Sequence, residues 1–336
     1  MTTTLIPLLT IAIPTYNRSR YLRQCLAALM PQVAEASGDV TVLVIDNAST
    51  DDTPHVLSEY RAMFPDNFRV MRNTENIGGD NNIAKCYGEC ATKYAWIFGD
   101  DDVLMPGAIG VLLPRMKRQD FGVIHIRAFP YKGDPVDYLP KRPAGRYQTF
   151  SKDSLEDMLY EVSDMFSFIT GNIVNKSFVS PGMDIYRYVE TRYNQIQWIF
   201  EALFSADDNL LVDDGLLAVN NEGNSGGYPF CRVFGTNYNL LFREFERRGV
   251  PAPYFDVINK RMARELFAGL IYFARKSNGT FRNYSPEDYF GELRPSYGKY
   301  WEFWLFIAPM CKLPKALLYP HFFAVRVINR IYRALR

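Results

Sequence analysis

The first hundred residues alternate between short, almost wholly apolar segments and longer segments with helical spacing of their apolar positions. The strand-like segments are 8–13, 40–45, 94–98 and 68–72, the last of which also contains Arg69 and Arg72. Segments of this length and composition are typical of strands covered on both faces, and the stretches between them predict helices. Because strands and helices alternate, the sequence predicts an α/β fold with a mostly parallel sheet flanked by helices.

Polar residues follow three of these predicted strands. The loop 14–18 comes after the first, Asp46 ends the second, and Asp100, Asp101 and Asp102 follow the fourth. In parallel sheets, ligands bind beyond the carboxyl ends of the strands, so we expect these groups at one edge. Adjacent carboxylates repel one another, and a divalent cation or a set of donors usually neutralises them. Taken alone, three aspartates could also form a solvated turn.

Composition narrows the class of protein. A formal net charge of +1 gives no electrostatic basis for binding nucleic acid. The five cysteines are odd in number and form no CxxC pair, which predicts buried thiols of a reducing compartment. The N-terminal apolar run has no basic residue ahead of it and no small-residue cleavage site after it. We therefore expect it to be the first strand of a cytoplasmic chain.

The elements beyond residue 110 are predicted with less regular patterns. We expect a helix over 105–116, strands over 122–129 and 165–174, a helix over 193–204, and a strand pair over 210–219. Proline- and glycine-rich or polar loops are predicted at 128–147 and 220–228.

Four ordered motifs resemble the family 2 glycosyltransferases of GT-A fold. They are Ile13-Pro14-Thr15-Tyr16-Asn17, the acidic segment 46–53, Asn76-x-Gly78, and the segment 98–107, FGDDDVLMPG. The resemblance implies a Rossmann-like sheet that binds a nucleoside-diphosphate sugar. Within the family, the chain is similar to bacterial O-antigen transferases, including abequosyltransferase-like ones.

The resemblance also implies roles for single residues. Those implied to contact the donor nucleotide are Pro14, Thr15, Tyr16, Asp46 and Asp100. Asp101 is the implied ligand of a diphosphate-bound Mg²⁺ or Mn²⁺, with Asp102 as a second ligand; such hard cations need no histidine. The family's commonest motif is Asp-x-Asp-Asp, and here Gly99 takes the first position. This departure leaves open whether Asp100 or Asp102 assists Asp101.

The catalytic base is harder to assign. An inverting transfer needs a carboxylate that accepts the proton of the acceptor hydroxyl. The resemblance places it at the start of the helix predicted over 193–204, where this chain has amide side chains instead of acids. Glu190 is our candidate, and Asp184 and Glu201 are further choices. A retaining mechanism needs no such base, so both stereochemical outcomes stay open.

The C-terminal part is predicted to be helical. Its apolar run 300–310 is shorter than the roughly 20 residues that span a bilayer. No acidic residue follows Glu302, and Arg326, Arg330 and Arg333 share one helical face. Two interpretations stay open: the segment 300–336 lies on an anionic membrane surface, or it docks on its own domain.

Together these features predict two domains and one activity. We expect residues 1–230 to form the GT-A nucleotide-sugar-binding and catalytic domain, and residues 231–336 a helical region. The expected enzyme is a metal-dependent, hexosyltransferase-type glycosyltransferase acting on a saccharide or lipid-linked oligosaccharide in O-antigen or other surface polysaccharide biosynthesis. It would be peripheral at the inner face of the cytoplasmic membrane. The alternative is a non-catalytic nucleotide-sugar-binding or scaffold protein.

A nucleotidyltransferase is disfavoured. Such an enzyme needs a glycine-rich phosphate loop after its first strand, and this chain has no glycine in 14–18.

Overall fold

The computed structural model describes residues 7–36, 38–133, 145–220, 227–277 and 284–335. The chain divides into two compact units. The first comprises Met1–Leu155 and Met165–Gly223, and the second comprises Glu156–Asp164 and Asn224–Arg336.

The centre of the first unit is a sheet to which the described residues contribute nine strands. They are β1 (Leu9–Thr15), β2 (Val40–Asp46), β3 (Phe68–Arg72), β4 (Tyr94–Ile97), β5 (Val103–Leu104), β6 (Val123–Tyr131), β7 (Arg146–Ser151), β8 (Asn172–Asn175) and β9 (Asp208–Asn220). The strand order is β3-β2-β1-β4-β8-β6-β9-β5, and β7 pairs with β9.

The strands β3, β2, β1 and β4 are parallel, as predicted. Beyond β4 the sheet is mixed, because β8 runs antiparallel to both of its neighbours, β4 and β6. Ile11, Val42 and Trp96, in β1, β2 and β4, are each fully buried. Strands covered on both faces must be almost wholly apolar, which is why β1, β2 and β4 were recognisable. In β3, which is FRVMR, Arg69 and Arg72 are exposed.

Helices flank this sheet. They are α1 (Ser19–Glu35), α2 (Thr53–Met63), α3 (Gly79–Gly88), α4 (Ala108–Arg118) and α6 (Asn194–Ser205). The helix α5 (Leu155–Val162) belongs, apart from Leu155, to the second unit. Leu22, Leu26 and Leu29 of α1 are buried in the same apolar core as β1 and β2. The helices predicted over 105–116 and 193–204 are confirmed, with shifted ends.

Two predicted elements were wrong. The apolar run 165–174 is mainly short 3₁₀ turns, Ser163–Ser167 and Ile169–Gly171, and only Asn172–Asn175 is a strand. The segment 210–219 belongs to one long strand, β9, instead of a hairpin. Strand β6 continues to Tyr131, past the predicted start of the loop 128–147. Most of that loop and of the loop 220–228 lies outside the described residues.

The second unit is helical, as predicted. Its later elements are a π-helical turn (Cys231–Asn237), α7 (Tyr238–Arg247), α8 (Ala252–Met262), a second π-helical turn (Ala263–Phe267), α9 (Ala268–Lys276), α10 (Tyr289–Tyr297), a third π-helical turn (Phe303–Ile307), α11 (Ala308–Lys312) and α12 (Lys315–Leu335). Aromatic rings fill its core, for example Phe242 against Phe255 at 4.7 Å between ring centroids. Among the helices of the described ranges, none has the length and apolar content needed to cross a bilayer.

Candidate functional site

The carboxyl end of β1 meets the acidic turn that follows β4. Thr15 Oγ1 donates a hydrogen bond of 2.7 Å to Asp100 Oδ2. Arg18 Nη1 lies 2.8 Å from Asp100 Oδ1 and 3.0 Å from Asp101 Oδ2. Asp100 is buried, so a hydroxyl and a guanidinium compensate a carboxylate that has lost its water. Thr15 and Asp100 are thus in direct contact, and Arg18 is a member of the site that the sequence analysis missed.

The other buried carboxylate of the turn, Asp102, contacts Thr170. Thr170 Oγ1 donates to Asp102 Oδ2 at 2.5 Å and accepts from the backbone N–H of Gly99 at 2.9 Å. Trp96 Nε1 donates to the carbonyl of Thr170 at 2.7 Å. The turn Ile169–Gly171 is therefore fastened to the acidic turn, although the sequence pattern had assigned it to a strand.

Burial shifts the titration of two of the three aspartates. It raises the pKa of Asp100 to about 6 and the pKa of Asp102 to about 7. The charge of Asp101 raises both pKa values further, whereas Arg18 lowers that of Asp100 and Thr170 lowers that of Asp102. Both buried carboxylates are thus easier to protonate than an exposed aspartate.

Asp101 is the carboxylate of the turn that solvent reaches. Its side chain is 21% exposed, compared with 5% for Asp100. An accessible carboxylate beside two buried ones fits a hard divalent cation, whose positive charge would lower their raised pKa values. Within the described ranges, no group of three or more His, Cys, Asp or Glu has the arrangement of a complete metal site. Phosphate oxygens and water would have to supply the remaining ligands, as is usual for Mg²⁺.

Asp46 ends β2 in register with Thr15 and is 1% exposed. Its Oδ1 accepts from the N–H of Ser49 at 2.9 Å, and its Oδ2 lies 2.5 Å from Arg72 Nη1. Arg72 Nη2 also donates to the carbonyl of Ser49 at 2.7 Å. Both oxygens of Asp46 are therefore engaged, and they anchor the loop after β2.

The loop after β1 is tied to the loop after β2. Asn17 adopts a left-handed backbone conformation with φ 52°, which asparagine tolerates better than most residues. Its Oδ1 accepts from the N–H of Thr50 at 2.7 Å, and its own N–H donates to Ser49 Oγ at 2.9 Å. Pro14 is half-buried, and the ring of Tyr16 is 41% exposed. These hydrogen bonds hold the loop so that Tyr16 is exposed to solvent next to Thr15, the residue that contacts Asp100.

An asparagine cluster joins a third loop to the second. Asn47 Nδ2 donates to Asn76 Oδ1 at 2.7 Å, and the N–H of Ile77 donates to Asn47 Oδ1 at 3.0 Å. Asn73 Nδ2 donates to the same Oδ1 at 2.8 Å. The motif Asn76-x-Gly78 was visible in the sequence, but its partner Asn47 was not.

Glu190 lies in a 3₁₀ turn, Val189–Thr191, just before α6. It is exposed, and no hydrogen bond or ion pair joins it to another described residue. The next residues are fixed to α3, because Arg192 N–H and Asn194 Nδ2 donate to Asp80 at 3.1 and 2.9 Å. The structure therefore does not connect Glu190 to the acidic turn by any direct contact.

The two further base candidates are engaged elsewhere. Asp184 is exposed and accepts from the N–H of Tyr186, two residues away, at 3.0 Å. Glu201 is 5% exposed and accepts from the N–H of Ser180 at 3.0 Å. Glu201 therefore holds a loop to α6 and is poorly accessible to an acceptor.

Replacing Arg18 with glutamine should lower the free energy of unfolding at pH 8 by about 2 kcal/mol, because Asp100 would stay buried without its cation. The loss should shrink toward pH 5. Without Arg18, the folded-state pKa of Asp100 rises above about 6, so the folded protein binds a proton that the unfolded chain releases. Stability then falls as pH rises through that pKa. Urea denaturation at both pH values measures this effect.

Arg20→Gln is the matched control, since Arg20 is exposed on the same helix. We expect it to change stability by less than about 0.5 kcal/mol at either pH. A loss for Arg18→Gln that is equal at pH 5 and pH 8 would contradict the assigned role.

Replacing Gly99 with alanine should destabilise the acidic turn. The added Cβ would lie 2.8 Å from Asp102 Oδ2 and 3.1 Å from Thr170 Oγ1, both of which are buried. Overpacking of this kind costs about 1–3 kcal/mol. Gly110→Ala is the control: it lies inside α4 with no heavy atom within 4 Å, and should stabilise by up to about 1 kcal/mol. Thermal unfolding of the two variants distinguishes them, and similar melting temperatures would refute the expected crowding.

Comparison with known proteins identifies the family of the chain. Residues 10–178, about half of the chain, match the family model described as "Glycosyl transferase family 2". A relative, abequosyltransferase RfbV of Salmonella typhimurium, is 35% identical over 107 residues, which are 31% of each chain. Chondroitin synthase of Escherichia coli is 31% identical over 113 residues, 34% of this chain and 16% of that protein. The chain thus matches a third or less of the length of these relatives.

A solved structure extends the likeness of fold. Staphylococcus aureus TarS 1–349, in complex with UDP-GlcNAc, superposes with a TM-score of 0.61 at 13% sequence identity. The superposition covers 98% of this chain and 92% of TarS 1–349, which confirms the predicted GT-A fold. Because the family model spans half of the chain, and the residues it covers build the sheet edge at Thr15, Asp46 and Asp100, the protein belongs to glycosyl transferase family 2.

Proposed function

We propose that the protein transfers a sugar from a nucleoside-diphosphate sugar to a hydroxyl of a saccharide acceptor. One observation carries this proposal: three loops of the sheet edge are fastened together around an acidic turn whose buried carboxylates have raised pKa values. An edge of this kind suits a ligand that combines a nucleoside with a cation-bound diphosphate. A relative named an abequosyltransferase and a neighbour bound to UDP-GlcNAc support the same reading.

The donor nucleotide is proposed to bind at the loops after β1 and β2. Tyr16 has an exposed ring that can stack on a base, and Pro14 lines the same loop. Asp46, which anchors the loop after β2, and Asp100, which contacts Thr15, are proposed to contact the base and ribose of the donor. The first compact unit would then be the catalytic domain.

The metal is proposed to be Mg²⁺ or Mn²⁺, with Asp101 as its main protein ligand and Asp102 as a second ligand. When bound, such a cation stabilises the negative charge that develops on the departing diphosphate. The chain's own contribution is to hold the three carboxylates together. Arg18 supplies a fixed positive charge to Asp100 and Asp101 before any ligand arrives.

Glu190 is proposed as the base that accepts the acceptor's proton. It is an exposed carboxylate on a turn that is anchored to α3, so its backbone is held in place while its side chain remains accessible. A non-catalytic sugar-nucleotide-binding protein is the second candidate. Its support is the start of α6, where Asn194 and Gln195 stand in place of an acid.

The acceptor is proposed to be a saccharide or lipid-linked oligosaccharide of a surface polysaccharide such as O-antigen, reached at the inner face of the cytoplasmic membrane. Support comes from α12, which buries Leu318 and Val325 but exposes Phe323, Val327 and Ile331. A helix that is apolar on both faces normally has both faces covered. With no acidic residue after Glu302, an anionic bilayer surface is the proposed cover.

Calorimetric titration with a panel of nucleoside diphosphates, with and without Mn²⁺, tests the donor site. We expect one nucleotide to bind only when the metal is present. Release of that nucleotide from the matching sugar donor, measured with saccharide acceptors, then separates an enzyme from a binding protein. If no nucleotide binds to folded protein in the presence of metal, the transferase proposal is wrong.

A further inference from the structure

The second unit contains a pocket of about 480 Å³ between α12, α9 and the π-helical turn Ala263–Phe267 that precedes α9. Its lining combines arginines with aromatic and aliphatic side chains. The residues that matter here are Arg264, Phe273, Phe322, Val325, Arg326 and Arg330. Cationic and apolar walls in one pocket fit an amphiphile with an anionic head.

The arginines of the pocket are not all neutralised. Arg333 is paired with Glu265, and buried Arg264 is paired with Glu302 at 3.1 Å. Arg326 and Arg330 have no carboxylate partner among the described residues. The guanidinium of Arg326 lies over the ring of Phe322, 6.0 Å from its centroid. Four arginines therefore face two carboxylates, which leaves two positive charges at the pocket.

Arg264 provides an independent indication of a ligand. It is 3% exposed and lines the pocket, yet its Nε has no hydrogen-bond partner in the described part of the chain. Buried N–H groups almost always have an acceptor, and a charged donor lacks one only at a cost. An anionic oxygen entering the pocket would supply that acceptor.

The pocket borders the solvent-exposed apolar face of α12, which contains Phe323, Val327 and Ile331. Arg326 and Arg330 each precede a residue of that face, Val327 and Ile331, so they lie on the flank between its packed and exposed sides. Phe322, which lines the pocket, stacks on Tyr272 at 4.3 Å between ring centroids. A headgroup held by the arginines would therefore have its chains beside the apolar face.

We propose that this pocket binds the phosphate group of a membrane lipid and so fixes α12 on the bilayer surface. The proposal rests on the proposed membrane contact of α12 and is independent of sugar transfer. Phosphate is the chemistry that paired arginines and an unpartnered guanidinium N–H recognise best. The lipid supplies the apolar part that a free phosphate lacks.

The test compares two double variants by co-sedimentation with vesicles of phosphatidylcholine, alone or mixed with phosphatidic acid. We expect the wild type to bind only the mixed vesicles, and Arg326→Gln/Arg330→Gln to bind about 30-fold more weakly, about fivefold for each charge. Arg330→Gln alone should lose about fivefold. Arg243→Gln/Arg247→Gln removes two exposed charges from α7 and should lose much less. Equal losses in the two double variants would show a general charge effect and overturn the pocket.

A soluble probe separates the pocket from the membrane contact. Short-chain phosphatidic acid, below its micelle concentration, should bind the wild type and also Phe323→Glu/Ile331→Glu, which should no longer sediment with vesicles. Arg326→Gln/Arg330→Gln should bind the short-chain lipid about 30-fold more weakly, as it does the mixed vesicles. If inorganic phosphate binds as tightly as the short-chain lipid, the site takes a free phosphate and the lipid proposal is wrong. Nucleoside-diphosphate titration of the same variants should be unchanged, so a failure of the donor site is detected separately.

Discussion

Asp101→Asn is expected to reduce sugar transfer by about 10³-fold and to abolish the metal-dependent part of donor binding. The substitution keeps the shape of the side chain but removes the charge of the one accessible carboxylate in the turn. Loss of a single group that stabilises developing negative charge costs about 10²–10³-fold, and here the metal's contribution would be lost as well. Calorimetry with and without Mn²⁺, together with initial rates, measures both effects.

The control for this variant is Asp66→Asn, which neutralises an exposed aspartate in the loop before β3. It should leave rates and nucleotide affinity unchanged. Asp101→Asn should unfold at a temperature no lower than the wild type, since it removes one of three adjacent like charges. Unchanged metal-dependent binding in folded Asp101→Asn would mean that Asp101 is not a ligand.

Glu190→Gln is expected to lower turnover by about 10²–10⁴-fold, the usual contribution of a general base, while nucleotide binding stays intact. Glutamine has nearly the same shape but cannot accept a proton. Because Glu190 is exposed and has no partner among the described residues, the substitution is expected to leave the fold unchanged, so a lower turnover would report on catalysis. Rates at saturating donor, with the acceptor varied, isolate the step.

Glu156→Gln, an exposed change on α5, is the control and should be silent. Asp184→Asn and Glu201→Gln complete the set. If Asp184→Asn loses turnover and Glu190→Gln does not, the base has been assigned to the wrong residue. If none of the three lowers turnover, the reaction uses no carboxylate base from this segment, as a retaining mechanism would allow.

The parallel strands were predictable because burial on both faces leaves a strong local pattern. Val42 and Ile11 lie within nearly continuous apolar runs, which are typical of strands buried on both faces. The run 165–174 is also rich in apolar residues but forms turns over most of its length, and the turn Ile169–Gly171 brings Thr170 to Asp102. Local composition does not distinguish a buried turn from a buried strand.

The missed members of the site share a different cause. Arg18 meets Asp100 across 82 positions of sequence, and Thr170 meets Asp102 across 68. Asn47 meets Asn76 across 29. Such contacts depend on strand order and register, which no short motif specifies. The acidic turn itself was predictable, but the side chains that neutralise it were not.

The space at Gly99 has an evolutionary consequence. The family's commonest motif has an aspartate at this position, but here Thr170 and Asp102 occupy the volume that its side chain would need. A return to that form is therefore expected to be epistatic: an acidic residue at position 99 becomes tolerable only after both Asp102 and Thr170 have been exchanged for smaller residues. Lineages that have Gly99 followed by three aspartates should therefore keep this sequence. An acidic residue at position 99 lowers stability until its neighbours have also been exchanged.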